Sequence, residues 1–185
     1  MSQGTQHTKT TRDEPQRPLI SAADIREVNY PRAWFDEDIA WTIKRTAQQR
    51  APTPGSVWSH QIGFACELAT SAYFRVSADW SIYDDYIGDD GHDLTVDGTQ
   101  VEVKGVTDRS EPTLRVPVNK VDDADQFVLG QCINPSVGAR LIGSITRERF
   151  KQLGYRFDGC LCVESDCLTV LGHKVISPEE IRATQ

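Results

Sequence analysis

The chain of 185 residues lacks any long hydrophobic run, and no stretch approaches the ~18 apolar residues that a membrane-spanning helix requires. Residues 1–18 are polar throughout and contain no apolar segment like that of a secretory signal. Cysteine is scarce: 5 residues at irregular spacings do not resemble a disulfide-stabilised secreted domain. We therefore expect a cytoplasmic protein with reduced thiols and no membrane partner.

Positive charge is also in short supply, with 20 basic against 27 acidic residues and a net charge of −7. This balance argues against a uniformly basic nucleic-acid-binding surface, but it allows a local basic groove. The length and the 38% hydrophobic content suit one folded domain. Because residues 1–18 have almost nothing apolar to bury, we predict a disordered tail there and a single domain over 19–185.

Hydrophobic periodicity predicts two helices, over 35–50 and about 58–76, before most of the strands. Helices followed by several strands indicate a mixed α/β (α+β) fold rather than a doubly wound parallel sheet. The later predicted elements are a hairpin at 92–106, strands at 113–118, 126–133 and 140–145, a helix at 146–153, strand and turn over 157–176, and a short helix from Pro178.

The strongest local signal is the Asp97-Gly98 pair, which lies between two runs of alternating residues. This dipeptide favours a two-residue hairpin turn, and such a turn fixes the register of both strands. The predicted facing pairs are Val96 with Thr99, Leu94 with Val101, and Asp93 with Glu102.

Because side chains alternate across a strand, Asp93, Glu102 and Lys104 share the polar face of this hairpin. Two facing carboxylates, with Cβ atoms roughly 4.5–5.5 Å apart, destabilise the pair unless a cation lies nearby. Lys104 supplies one positive charge, and a divalent cation bound by oxygen ligands, Mg²⁺ or Mn²⁺ rather than Zn²⁺, would supply the rest. A solvated hairpin face, with Lys104 pairing Glu102, explains the same pattern without a site.

Glu67 falls in the middle of the second predicted helix, beside its apolar stripe. No residue three or four positions away is basic, so a helical ion pair does not explain it. The small residues Gly63 and Ser71 would allow another element to come close. A glutamate at the exposed margin of the helix is the simpler alternative.

The series Glu67, Asp93 and Glu102-Val103-Lys104 resembles the PD-(D/E)xK nuclease superfamily. In that superfamily a helix contributes a glutamate, one hairpin strand an aspartate, and the adjoining strand an (Asp/Glu)-x-Lys motif. The resemblance covers roughly residues 60–150, with His92 standing where the family often has proline. It implies a restriction-endonuclease-like fold, with a mixed β-sheet core flanked by helices.

The resemblance also implies an activity, that of a metal-dependent endonuclease hydrolysing DNA phosphodiester bonds with metal-activated water. Asp93, Glu102 and the Val103 backbone carbonyl would hold Mg²⁺ or Mn²⁺. Lys104 would position the attacking water and stabilise developing charge, and Glu67 would hold a second metal or orient a water. Loss of Asp93 or Glu102 should abolish activity and leave the fold intact.

Residues around and after the hairpin are the candidate contacts to the nucleic-acid backbone. The implied partner is DNA, with RNA as an alternative, and a homodimer is expected only by analogy with other superfamily members. The candidates are His92, Arg109, Ser110, Arg115, Asn119 and Lys120, each of which is an ordinary surface residue in the simpler interpretation.

Two other residue groups have simpler explanations than a site. A zinc site is not expected, because no common structural site has the spacing of Cys160, Cys162, Cys167 and His173. Packing against the core and helices, rather than base stacking, is expected for Trp34, Trp41, Trp58 and Trp80.

Two further functions remain open at this point. The first is a nucleic-acid-binding module or subunit that has the nuclease fold without turnover. The second is an unrelated metal-dependent hydrolase that uses the same carboxylates. Replacement of Lys104 separates them, because a binding module would lose little when this residue changes.

Overall fold

A computed structural model describes the chain over residues 30–50, 56–78, 92–107 and 111–185. The predicted tail, the Asp84–Asp90 loop, Trp80, Arg109 and Ser110 lie outside the described residues. Within the described ranges the fold is mixed α/β, with four α-helices and two β-sheets. No helix in these ranges is long and apolar enough to cross a membrane.

The first helix, α1 (Glu37–Arg50), begins after Asp36, whose carboxylate accepts the Ile39 N–H at 3.1 Å. Asp36 therefore caps the helix and does not belong to its first turn, since a capping side chain satisfies a free N–H group. The second helix, α2 (Val57–Phe74), ends where Arg75 adopts a left-handed conformation (φ 59°). The helix therefore ends two residues earlier than the periodicity predicts.

Six strands form the larger sheet, in the order β2-β3-β5-β6-β1-β9. The β3–β5 and β1–β9 pairs are parallel and the other pairs are antiparallel. The strands are β1 (Arg32–Trp34), β2 (Leu94–Val96), β3 (Thr99–Thr107), β5 (Gln126–Asn134), β6 (Gly138–Thr146) and β9 (Val175–Ile176). Sequence periodicity did not predict β1, because three residues are too few to show an alternating pattern.

A smaller sheet of three antiparallel strands lies in the order β4-β8-β7. Its strands are β4 (Thr113–Pro117), β7 (Tyr155–Phe157) and β8 (Cys160–Glu164). Helix α3 (Arg147–Leu153) precedes β7. Helix α4 (Pro178–Arg182) follows β9, and the Ser177 side chain caps its first turn. The predicted strands and helices after residue 113 are confirmed to within about three residues.

Two hydrophobic clusters pack on opposite faces of the six-stranded sheet. The first joins α1 and α2 to Val101, Val103 and Val128, and the second joins the smaller sheet and α3 to Phe127 and Leu129. Alternation along β3 and β5 explains the division, because neighbouring residues point to opposite faces.

Glycines allow α2 to lie directly on the sheet. A Cβ on Gly105 would come within 2.8 Å of the Ile62 carbonyl oxygen, and a Cβ on Gly130 within 2.6 Å of the Cys66 Cβ. Both distances are shorter than atoms tolerate without movement, so the approach of helix to sheet depends on these two residues. This close approach positions Glu67 relative to β3.

Tryptophan packing in the core is a prediction that the structure contradicts. Trp34, Trp41 and Trp58 are 40%, 59% and 52% exposed. The Arg45 guanidinium lies 5.2 Å from the centre of the Trp41 ring, so this side chain packs under a cation at the surface. The prediction rested on the usual burial of tryptophan. Whether a given tryptophan is buried depends on which face of its helix or strand it occupies.

Candidate active site

The β2–β3 hairpin has the predicted register, with Leu94 opposite Val101 and Val96 opposite Thr99. Asp97 (φ 48°) and Gly98 (φ 80°) both have positive φ, as the two central residues of a type I′ turn require. The prediction of a two-residue Asp-Gly turn is therefore confirmed.

Asp93 is placed differently from its predicted position opposite Glu102. Strand pairing ends at Leu94, and the Asp93 carboxylate instead accepts the backbone N–H of Val103 at 2.7 Å. The Asp93 N–H donates to the Val101 carbonyl at 3.0 Å, which keeps the residue against β3. A side-chain oxygen thus occupies the place of the next strand carbonyl, and this contact fixes the carboxylate beside the Glu-x-Lys segment.

Glu102 and Lys104 lie on one face of β3, and the Lys104 ammonium donates to the Glu102 carboxylate. Glu102 is 15% exposed and Lys104 31% exposed at their side chains. This ion pair is the simpler explanation that the sequence also allowed. Asp93, the second carboxylate of the hairpin, accepts its hydrogen bond from a backbone amide rather than from this ammonium.

Glu67 interacts electrostatically with the hairpin, because its charge acts on both Asp93 and Lys104. Its Oε1 lies 3.7 Å from the position that a Cβ on Gly63, one turn earlier in α2, would take. Gly63 in turn is the residue whose Cα lies 3.1 Å from the Cβ position of Gly105 on β3. The small residue therefore allows α2 to approach β3 one turn before Glu67, as the sequence analysis expected.

Electrostatic interactions join the four residues into one group, here called the carboxylate cluster (Glu67, Asp93, Glu102 and Lys104). Burial, and then the charges of Glu67 and Glu102, raise the pKa of Asp93 well above that of an ordinary aspartate, although the Val103 N–H and Lys104 oppose the change. Burial disfavours a charged Lys104, but the three carboxylates outweigh it and raise the pKa of the ammonium. Three acids therefore lie around Lys104 in a partly buried place, where burial and mutual repulsion both disfavour their charged forms.

The backbone carbonyl of Val103 also faces the side of β3 on which Asp93 lies. The amide and carbonyl of one strand residue point to the same side, so the carbonyl of Val103 faces the side on which its N–H meets Asp93. Carboxylate and carbonyl oxygens are the ligands that Mg²⁺ and Mn²⁺ prefer, and the excess negative charge suits a divalent cation. The described residues contain no group of three His, Cys, Asp or Glu already arranged as a metal cluster. Donor chemistry and charge therefore fit such an ion, and binding would require the carboxylates to close around it.

The predicted nucleic-acid contacts lie in different parts of the fold. The His92 ring lies 3.1 Å from the Thr95 hydroxyl, next to Asp93. Arg115 instead lies on the smaller sheet, where its guanidinium is 5.3 Å from the centre of the Phe157 ring. Asn119 and Lys120 form a 3₁₀ turn after β4, and Lys120 pairs with Asp123 at 3.6 Å. Of the candidates that lie in the described residues, His92 is therefore the one beside the hairpin.

The three cysteines at the C-terminal end, like the other two, form no disulfide in the described part of the chain. Cys162 is buried between Arg115 and Tyr155 in the register of the smaller sheet, while Cys160 lies beside Pro117 and Phe157. These thiols form part of strand packing in the described structure.

Sequence reasoning missed one polar group on the larger sheet. The buried Gln131 accepts the Arg140 Nε–H at 2.6 Å and donates to the Thr107 carbonyl at 3.3 Å. The one available signal was a glutamine within the otherwise apolar predicted strand 126–133. Its arginine partner could not be assigned without the pairing of β5 with β6.

Comparison with known proteins identifies no relative: no family model, curated protein or solved structure matches the chain. The chemistry of the carboxylate cluster must therefore be argued from its own residues.

Proposed function

We propose that the chain is a metal-dependent nuclease of the PD-(D/E)xK type, with a restriction-endonuclease-like fold, that hydrolyses phosphodiester bonds in DNA. The main support is the convergence of Glu67, Asp93, Glu102 and Lys104 from a helix and a hairpin. The order and residue types match the motif that the sequence resembles. The reduced cysteines agree with the cytoplasmic location proposed with this activity.

The proposed metal ligands are Asp93, Glu102 and the Val103 carbonyl, with Glu67 near a second metal or a bound water. A bound Mg²⁺ or Mn²⁺ would supply an activated water and would neutralise phosphate oxygens. The Val103 amide holds Asp93 in a fixed orientation, so little rearrangement of that ligand is needed. Such fixed orientation is what electrostatic stabilisation of a transition state requires.

Lys104 has two proposed roles within this arrangement. Its ammonium remains protonated because the carboxylates around it raise its pKa. When a divalent cation takes over the charge of Glu102, the ammonium can turn to the attacking water and to the phosphate oxygens. A positive charge at that place stabilises the negative charge that develops during in-line attack.

A cleavage assay tests this function directly. Supercoiled plasmid and a four-way branched DNA would be incubated with wild-type protein in Mg²⁺ or Mn²⁺, and in EDTA. The variant Glu102→Gln removes a proposed ligand, and Glu148→Gln, an exposed glutamate on α3, is the matched control. We expect metal-dependent cutting that is lost in Glu102→Gln and retained in Glu148→Gln.

The opposite result would indicate a binding protein rather than an enzyme. DNA binding without cutting of either substrate in either metal would contradict the nuclease and favour a binding module or subunit. Equal cutting by wild type and Glu102→Gln would show that the active site does not include Glu102. An RNA strand of the same sequence in a further arm decides between DNA and RNA as substrate.

A further inference from the structure

The smaller sheet has an outer face that carries two aromatic rings and an arginine. The residues on either side of Arg115 pack in the second hydrophobic cluster, so alternation along β4 points Arg115 outward. Arg115 and Tyr155 both pair with Cys162 on β8, which places Tyr155 on the same face. Phe157 follows two residues later on β7 and points the same way. We call Tyr155, Phe157 and Arg115 the aromatic face.

Both rings of the aromatic face are open to solvent. Tyr155 is 46% exposed and Phe157 is 54% exposed. Single exposed apolar residues are common on soluble proteins, but neighbouring ones that form a patch mark contact sites. The two rings lie on one short strand and therefore form such a patch.

The Tyr155 ring is held in place through its hydroxyl. This hydroxyl donates to one carboxylate oxygen of Glu164, and the Thr113 hydroxyl donates to the other at 2.8 Å. The bond to Glu164 raises the pKa of Tyr155, so the phenol keeps the proton that it donates. The contact fixes the ring by its edge rather than by its face. A ring that is already fixed loses little freedom when a ligand stacks on it.

The second ring, that of Phe157, is paired with a cation. The Arg115 guanidinium lies 5.3 Å from the centre of this ring. Asp158 (φ 48°) and Gly159 (φ 73°) form a two-residue turn that fixes β7 against β8. The planar guanidinium combines a surface for stacking with a positive charge and hydrogen-bond donors.

The size of the aromatic face limits what it can bind. With strands about 4.8 Å apart and about 3.3 Å per residue, three strands of up to five residues present roughly 250 Å². A stable protein interface covers about 800 Å² on each partner. The smaller sheet alone is therefore too small to dock a second copy of the chain, whereas one or two nucleotide bases fit on it.

The chemistry of the aromatic face suits unpaired bases. Every base has a flat face that stacks on aromatic rings and on arginine guanidinium groups, and the charge of Arg115 attracts the phosphates. The Cα atoms of Tyr155 and Phe157 are roughly 6.6 Å apart along β7. Successive bases in B-DNA are only about 3.4 Å apart. Neighbouring bases can therefore reach both rings only when they have left the duplex stack.

We propose that Tyr155, Phe157 and Arg115 form a stacking surface for unpaired bases, so that the DNA substrate contains a single-stranded segment. The inference rests on the proposed nuclease function and names the form of its substrate. Stacking uses the face of a base and not its edge, so the surface accepts all sequences.

The first test is the affinity for a labelled 12-nucleotide single strand of mixed sequence, measured by fluorescence anisotropy in EDTA. Phe157→Leu removes one ring and keeps an apolar side chain. Trp41→Leu is the matched control, because it removes an exposed ring that lies 5.2 Å from the Arg45 guanidinium on α1. We expect Phe157→Leu to bind about 5- to 150-fold more weakly, the loss typical of one stacked base, and Trp41→Leu to bind as wild type does.

A duplex of the same sequence gives a second comparison. Its bases are paired and stacked on one another, so we expect Phe157→Leu and wild type to bind it equally. An equal loss of affinity for single strand and duplex would overturn the stacking surface, because unpaired bases would not be what Phe157 contacts.

A cross-linking experiment tests the wild-type protein without any substitution. A single strand with 5-iodouracil in place of thymine is irradiated on the protein, and mass spectrometry identifies the cross-linked peptide. We expect the peptide that contains Tyr155 and Phe157, and cross-links confined to other peptides would overturn the proposal. Thermal unfolding checks that Phe157→Leu is folded, and the cross-link decides the question if it is not.

Two results with the variants would assign the aromatic face differently. An equal loss of single-strand affinity in Trp41→Leu would show that any exposed ring has this effect, which would overturn the stacking surface. Unchanged single-strand affinity in Phe157→Leu, with a smaller assembly by light scattering than wild type, would make the face an interface between copies of the chain.

The outcomes also separate this inference from the proposed function. Metal-dependent plasmid cutting by wild type, with unchanged single-strand affinity in Phe157→Leu, would overturn the stacking surface and leave the nuclease standing. Weaker single-strand binding in Phe157→Leu, with no cutting by wild type, would support the stacking surface and overturn the nuclease. Absence of single-strand binding by wild type would overturn the stacking surface, and the cleavage assay would then judge the nuclease alone.

Discussion

Glu102 and Lys104 of the carboxylate cluster project from the same face of the larger sheet as a second polar pair, Gln131 and Arg140, but the two groups differ in charge. In the first, three acids lie around Lys104; in the second, a neutral amide orients Arg140 beside Arg32. The excess of acids suits the divalent cation proposed above, whereas the amide holds an arginine in place within the sheet.

The two groups also differ in how the fold positions them. The carboxylate cluster depends on one hairpin and on the close contact of α2 with Gly105. Gln131 meets Arg140 through the pairing of β5 with the next strand, β6, and Arg140 meets Arg32 through the pairing of β6 with the distant β1. A local turn therefore positions the hairpin residues of the acidic group, whereas Glu67 and Arg32 are positioned by contacts between distant parts of the chain.

The largest effect is expected at Lys104. We expect Lys104→Met to lower the rate of DNA cleavage by at least about 100-fold, because a charge that stabilises the transition state is lost. DNA affinity should change much less, because a contact made in the transition state adds little to binding of the ground state. Single-turnover cleavage measures the rate, with Lys120→Met as the control for loss of a lysine away from the hairpin. A rate within threefold of wild type would remove Lys104 from the mechanism.

A pair of glycine substitutions tests the contact of α2 with β3. Gly105→Ala forces a Cβ against the Ile62 carbonyl and should lower the free energy of unfolding by about 1–3 kcal/mol. Gly63→Ala adds a methyl group in ordinary contact with Glu67 and should raise it by about 0.5–1 kcal/mol, as alanine favours a helix. Urea denaturation compares them, and equal effects would show that α2 does not approach β3 as described.

Removing the buried amide of Gln131 should cost stability. Gln131→Met removes the donor to the Thr107 carbonyl and the acceptor of the Arg140 Nε–H, at a cost of about 1–3 kcal/mol. Gln152→Met, on the exposed side of α3, is the matched control and should change little. A variant as stable as wild type would mean that Gln131 does not hold Arg140 in place.

The smallest effect, opposite in sign, is expected at Asp93 in metal-free protein. Its raised pKa means that the folded state holds a proton that the unfolded state has released, so stability falls as pH rises from the ordinary aspartate pKa to the raised one. Asp93→Asn keeps an acceptor for the Val103 N–H but carries no charge. Its melting temperature should therefore exceed that of wild type at neutral pH and match it near pH 3.

Two results would contradict this interpretation of Asp93. A constant difference in melting temperature at all pH values would show that the charge is not the cause. A lower melting temperature of Asp93→Asn in neutral, metal-free buffer would show that the acids stabilise the fold without a cation.

Much of the acidic group could be predicted from the sequence because its determinants are local. Asp97-Gly98 fixes the register of the hairpin, and alternation then assigns Glu102 and Lys104 to one face. The orientation of the Asp93 carboxylate towards the Val103 N–H could not be predicted, since it depends on where strand pairing ends. The small residue Gly63 led to the prediction that another element approaches α2 near Glu67. The structure identifies that element as β3, where Gly105 meets Gly63.

The cross-strand neighbours Arg140 and Arg32 could not be predicted, because their determinants are not local. Arg32 lies on a three-residue strand that shows no periodicity, and its neighbour Arg140 is identified only by the β1–β6 register. The predicted phosphate contacts, such as Arg115 and Lys120, were chosen because they follow the hairpin in sequence. In the fold they lie on or next to the smaller sheet, because the chain leaves the larger sheet after β3.

The most direct test of the central claim is a calorimetric titration of Mn²⁺ into the metal-free protein. Wild type should show saturable binding at the hairpin, Glu102→Gln should lose it, and Arg32→Gln should keep it. Identical Mn²⁺ binding by wild type and Glu102→Gln, or none by wild type, would contradict a metal site in the carboxylate cluster.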